Sequence, residues 1–168
     1  VKINCVPLSN MQLVDLLAML ELVKEKNIPL RFIELMPLSC NSELQGISGE
    51  AIREMFGEAG IRLLEENALL GNGPAGYYRA EGYAGAIGFI EPLHNKFCHS
   101  CNRIRLTATG LLKPCLYANE TFDLKALLRS DASDEEILEA LRHAIYAKPQ
   151  GHAFEISPAN FPMNAIGG

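Results

Sequence analysis

The stretch from Val1 to Met36 constrains the fold more than any other part of the chain. Val1 to Val6 is short and β-rich, Pro7-Leu8-Ser9-Asn10 supplies turn chemistry, and a helical pattern runs from about Met11 to Lys26. Leu13, Leu16, Leu17, Leu20 and Val23 make an apolar stripe that Met19 and Leu22 widen, as in a helix packed on a sheet. Pro29 ends the connection. Leu30-Arg31-Phe32-Ile33-Glu34-Leu35-Met36 has almost no polar alternation and predicts a second strand buried on both faces. Strand, helix and strand at this spacing form a βαβ unit, which requires a parallel sheet and places the chain in the α/β class.

Further along, Ser48 caps a helix to about Ala59, and Ile61 to Leu64 is β-rich. The glycine-rich Leu70 to Gly76 reads as a surface loop rather than a phosphate cradle, because no helix pattern follows it. Tyr77 to Arg79 and Ala86 to Ile90 predict short strands, and Ser133-Asp134-Glu135-Glu136 predicts a capping box opening a helix to about Ala147. With 168 residues, 48% of them hydrophobic and 21% charged, the chain has enough apolar material for a packed core. A net charge of -5 restricts any nucleic-acid or anionic-membrane surface to a local patch, and no apolar run approaches the ~20 residues of a membrane helix. The expectation is a soluble, cytoplasmic chain with no nucleic-acid or membrane partner. Its start at Val1, already in a strand-like alternation, is what a piece of a longer protein would show.

Five cysteines, an odd number, favour metal binding over a disulfide framework. Cys5 and Cys40 stand alone and read as small buried thiols. Cys98, Cys101 and Cys115 form a C-x2-C-x13-C array. Between the last two, Arg103 to Thr107 alternates polar and apolar, Ala108-Thr109-Gly110 can turn, and Leu111 to Pro114 can return, so a hairpin would bring Cys115 back beside Cys101. Three thiolates suit an iron–sulfur cluster with one iron open to a substrate; they equally suit zinc, with His94 or His99 as a fourth ligand, and spacing alone does not separate the two. From Pro92 to Asn119 there are four basic residues, Lys96, Arg103, Arg105 and Lys113, and no Asp or Glu. On a strand Arg103 and Arg105 share a face while Ile104 and Leu106 take the other, and two guanidinium forks side by side suit a phosphate or a carbonyl-rich base.

The run Phe97-Cys98-x-x-Cys101-Asn102-Arg103-Ile104-Arg105-Leu106-Thr107-Ala108-x-Gly110-x-Leu112-x-x-Cys115-Leu116 resembles the C-terminal cluster motif of the molybdenum cofactor biosynthesis protein A family, the radical S-adenosylmethionine GTP 3′,8-cyclases. Val1-Lys2-Ile3-Asn4, Arg31-Phe32-Ile33-Glu34-x-Met36 and the terminal Ile166-Gly167-Gly168 carry the same resemblance to both ends of the chain. Leu8-Ser9-Asn10 and Pro37 to Ile47 depart from the family pattern.

The resemblance implies an incomplete (β/α) radical-SAM barrel, whose last strands begin at Lys2 and Arg31, followed by a C-terminal α+β extension with a cysteine-ligated hairpin. The expected division is residues 1–66 and 67–168. It also implies one 4Fe-4S cluster in this chain, held by Cys98, Cys101 and Cys115, and a second in an N-terminal part, where S-adenosyl-L-methionine is cleaved to a radical. GTP is the implied substrate, with Lys2, Arg31 and Arg103, Ile104 and Arg105 lining its site, Met36 against S-adenosylmethionine, and the terminal diglycine reaching toward the ligand. The chain alone is expected to be inactive, and a sheet edge exposed by missing strands leaves homodimerisation open. The competing reading is a non-catalytic zinc module; a peptide-modifying radical enzyme is a third, disfavoured by the arginine pair and the diglycine. His143 and His152 are read as surface or structural residues.

Overall fold

The computed structural model describes residues 1–38, 43–66 and 73–154. Cys40, part of the glycine-rich loop and the terminal diglycine therefore lie outside the described residues. The chain divides into two compact units, residues 1–36 with 43–97, and residues 37–42 with 98–168.

The first unit runs β1 (Ile3–Cys5), α1 (Leu13–Lys24), β2 (Leu30–Ile33), α2 (Gly49–Glu58), β3 (Leu63–Glu66), β4 (Gly76–Ala80) and β5 (Ile87–Ile90). Its strands form one mixed sheet in the order β1-β2-β5-β4-β3. β1, β2 and β5 pair in parallel, and β4 joins β5 and β3 antiparallel. The βαβ expectation is thus met by β1, α1 and β2. The expected boundary at residue 66 falls inside this sheet. Ladder hydrogen bonds tie β4 and β5, which lie beyond it, to β3 and β2, and the units part after Phe97 instead.

Register decides the faces. Leu30 and Phe32 of β2 and Ile87 and Phe89 of β5 alternate onto one face, where they meet Leu16, Leu20 and Val23 of α1 and Ile52 and Phe56 of α2. Phe32 lies 5.7 Å from Phe89 and 5.9 Å from Phe56 between ring centroids. The expectation that β2 is buried on both faces fails: Leu30 and Phe32 are buried, Arg31 and Ile33 only half so, because this unit's helices pack where the apolar positions alternate. Leu22, expected to widen the α1 stripe, is exposed, since it lies off the arc through Leu16, Leu20 and Val23. The last carbonyls of α1 are satisfied from the turn before β5: Val23 accepts from the Gly85 N–H at 2.9 Å and Lys24 from that of Ala84 at 2.8 Å. A Cβ at Gly85 would stand 2.4 Å from the Ile28 carbonyl oxygen, so only glycine allows this approach.

After β2, the buried Glu34 carboxylate accepts from the backbone N–H groups of Leu93 (2.7 Å) and His94 (3.3 Å) and from His94 Nδ1. This ties the chain leaving β5 to the end of β2. The hydrogen bond to Glu34 and then its charge, helped by Glu91 and Glu50 against a small desolvation penalty, raise the His94 imidazole above its ordinary value. Because the folded-state value is the higher one, the protonated pair contributes stability fully below about pH 6.5, the unfolded histidine value, and loses it as pH rises through the folded value. In a proton NMR titration the His94 ring is expected to change state above pH ~6.5. A midpoint at or below that value would refute the pairing.

The second unit opens with a 3₁₀ turn at Cys98–Ser100, followed by β6 (Arg105–Leu106), β7 (Leu111–Lys113) and β8 (Phe122–Asp123) in an antiparallel sheet, then α3 (Leu124–Arg129) and α4 (Asp134–Tyr146). The capping box at Ser133 is present, with Ser133 Oγ accepting from the Glu136 N–H and the Glu136 carboxylate accepting from the Ser133 N–H. β8 and α3 carry no clear sequence signal: Asp123 ends the strand and caps the helix, accepting from the Ala126 N–H at 2.8 Å. His152 and Phe154 pack together at 4.8 Å and Phe154 on Tyr117 at 5.1 Å, while His143 meets Phe122 edge to face, so both histidines pack in aromatic contacts.

Candidate functional site

In the first unit, the face of the sheet opposite the core carries Asn4, Arg31 and Tyr77 beside the apolar Ile33 and Ile90. Arg31 lies in register with Asn4 of β1 and Gly88 of β5, and Gly88 in turn with Tyr77 of β4. Arg31 Nε donates to Asn4 Oδ1 at 2.8 Å. A Cβ at Gly88 would fall 2.9 Å from the Tyr77 ring and 3.1 Å from Arg31 Cγ, so the absent side chain is what lets both reach over the sheet. Lys2 is exposed just before β1, two residues from Asn4. Met36 is half-buried beyond the end of β2. Asn4, Gly88 and Tyr77 were given no site role from the sequence, because only strand register, a long-range property, puts them beside Arg31.

In the second unit, the hairpin expected between Cys101 and Cys115 forms: Arg105 pairs with Lys113 and Leu106 with Leu112. Its turn is built by Thr107 and Gly110. The Thr107 N–H donates to the Leu111 carbonyl and Thr107 Oγ1 accepts from the Leu111 N–H, both at 2.9 Å. Gly110 takes φ +89°, a conformation that disfavours other residues. Upstream, the Cys101 N–H donates to the Cys98 carbonyl at 3.2 Å, closing the 3₁₀ turn that carries both cysteines.

The strand proper begins at Arg105, so Arg103 is not on it as expected. The alternation nevertheless extends through it: Cys101, Arg103 and Arg105 are half-buried and Thr107 buried, whereas Asn102, Ile104 and Leu106 are exposed. The arginines thus share a side with Cys101, and the Ile104 side chain turns away.

The electrostatics bind these groups into one neighbourhood. Burial pushes the Cys101 thiol up, but the Arg103 backbone N–H, the Lys148 ammonium and the Arg103 charge outweigh it and hold the thiol below its ordinary value. Burial and then the Arg103 charge pull Arg105 down from the usual guanidinium value, and Cys115 and Cys101 act in the opposite sense. Arg105 remains a cation. Lys113 is fully buried, its Nζ donates to the Ala118 carbonyl, and burial lowers its value against the pull of Cys115. Cys98, Cys101 and Cys115 are half-buried and free of disulfides. Among the described residues no group of three or more His, Cys, Asp or Glu side chains is placed to hold a metal ion. The donor set does fit an anionic metal–thiolate group: three thiols, one already held toward thiolate, with Arg103, Arg105, Lys113 and Lys148 supplying cations.

Residues 28–154 match the Molybdenum Cofactor Synthesis C family. GTP 3′,8-cyclase of Clostridium perfringens (strain 13 / Type A) is 38% identical over 156 residues, covering 93% of this chain and 48% of its own length. The GTP 3′,8-cyclases of Syntrophomonas wolfei and Thermodesulfovibrio yellowstonii are each 41% identical, over 90% and 86% of this chain and 47% and 45% of their own lengths. The chain thus spans about half the length of these curated relatives. The family match takes in β2, the whole cysteine hairpin and α4, and on that match the chain belongs to the Molybdenum Cofactor Synthesis C family.

Proposed function

We propose that this chain supplies the substrate-binding part of a GTP 3′,8-cyclase, the radical S-adenosylmethionine lyase that converts GTP to (8S)-3′,8-cyclo-7,8-dihydroguanosine 5′-triphosphate at the start of molybdenum cofactor biosynthesis. In this reading β1, β2 and β5 are the end of an incomplete (β/α) barrel, and the cysteine hairpin with its helices is the extension. The single observation that carries it is the side shared by Cys101, Arg103 and Arg105 on the segment leading into the hairpin that ends before Cys115.

Cys98, Cys101 and Cys115 are the ligands of a 4Fe-4S cluster. Bound there by the three thiolates, the cluster would supply an iron able to take a donor atom of the guanine. Arg103 and Arg105 offer planar donor forks to the nucleotide, with the Ile104 backbone between them. Lys2 and Arg31 hold phosphate, and Asn4 fixes the Arg31 guanidinium. Met36 lies against S-adenosylmethionine. The radical arises outside these residues, at a second cluster, so the work of this chain is binding and orientation.

Anaerobic reconstitution of the full chain with iron and sulfide, followed by iron and zinc analysis and a spectroscopic titration with GTP, tests this. About four irons per chain and a spectrum that responds to GTP are expected, with no cyclised product from this chain alone. Stoichiometric zinc, no iron uptake and no response to GTP would replace the reading with the zinc module.

A further inference from the structure

Cys101 and Arg103 sit on a segment with little local reason to hold its shape. Residues 101–104 lie between the 3₁₀ turn and β6 and belong to no strand, so no ladder fixes their path. In extended backbone the carbonyls of residues i and i+2 point the same way, and those of Cys101 and Arg103 are bridged by one group. Lys148 Nζ donates to the Cys101 carbonyl at 2.6 Å and to the Arg103 carbonyl at 2.9 Å, and stands 3.4 Å from Cys101 Sγ. An ammonium has three donors and no acceptor, and all three are directed at this segment.

The placement of Lys148 follows from α4. Ile137, Leu141 and Ala144 form the less exposed side of that helix, and Lys148, four residues after Ala144, continues it past the C-terminal end. The helix therefore delivers the ammonium from a distance of more than forty residues in sequence, with Lys148 and Cys101 separated by 47.

We propose that Lys148 is a positioning residue for the cysteine site: its ammonium clamps the Cys101 and Arg103 carbonyls and thereby keeps Cys101, Arg103 and Arg105 on one side. The consequence for cluster and nucleotide binding rests on the function proposed above; the clamp itself does not.

The first test uses the full chain without metal. Lys148→Met keeps the stem and removes the donors. Amide hydrogen exchange at Asn102, Arg103 and Ile104 is expected to quicken about tenfold, the scale of a lost charge-assisted hydrogen bond, while amides of α4 and of β6 and β7 keep their rates. Lys148→Arg, which retains donors, is expected to restore slow exchange. Unchanged exchange at residues 102–104 in Lys148→Met, or equal quickening throughout α4 and the hairpin, would overturn the clamp. The second test uses reconstituted protein, in which Lys148→Met is expected to weaken GTP binding about tenfold and Lys148→Arg to recover it. If the unchanged protein takes up no cluster and ignores GTP, the functional reading fails, while the exchange result still decides the clamp.

Discussion

Cys115→Ala is expected to abolish cluster uptake, taking iron after anaerobic reconstitution from about four per chain to near zero and removing the spectral response to GTP. The 3₁₀ turn carries Cys98 and Cys101 as a pair, and only the hairpin, through its Thr107 and Gly110 turn, returns Cys115 to their neighbourhood. Deleting it leaves two thiols from one short turn, too few for the three-thiolate set. Cys5→Ala is the matched control. Cys5 lies in β1 against the core, where burial pushes its thiol up, so it is an unreactive packing residue and its loss leaves iron uptake intact. Iron retained at the unchanged level in Cys115→Ala would remove this cysteine from the site.

Phe32→Ala is expected to destabilise the first unit by about 3–5 kcal/mol, measured as a lower denaturant midpoint. Phe32 is buried on β2, a strand with a parallel neighbour on each side, and touches an aromatic ring from β5 and another from α2. Truncation leaves a cavity walled by Phe56 and Phe89 on elements that cannot close it without shifting a strand. A loss of that size is a large share of the roughly 5–15 kcal/mol that holds a typical domain together. It reaches the opposite face too, because Arg31 is the preceding residue of the same strand. Phe32→Leu, which keeps most of the apolar volume, should cost clearly less. A cost below about 1 kcal/mol for Phe32→Ala would mean that the packing described around β2 is wrong.

Local features of the chain were legible because they depend on neighbours in sequence. The α1 periodicity, the Ser48 and Ser133 caps, the hairpin between Cys101 and Cys115 and the side shared by Arg103 and Arg105 all follow from dihedral preference and alternation over a few residues. The parallel pairing of β1 and β2 was legible for a related reason, since a helix between two strands leaves them little alternative. Even there, local reading erred where burial was at issue: β2 reads as a strand with almost no polar alternation, yet packing makes it two-faced.

Sequence by itself determined the α/β class, the β6–β7 hairpin between Cys101 and Cys115 and the family to which the chain belongs, because each is written in residue types at short, fixed spacing. Tertiary structure alone decided that β4 and β5 join the first sheet, that Asn4, Gly88 and Tyr77 surround Arg31, that Glu34 captures His94, and that Lys148 grips the cysteine segment. These are contacts between residues tens of positions apart. Their partners are selected by strand register and by the direction in which a helix end points, and both are outcomes of packing the whole unit rather than properties of any short stretch.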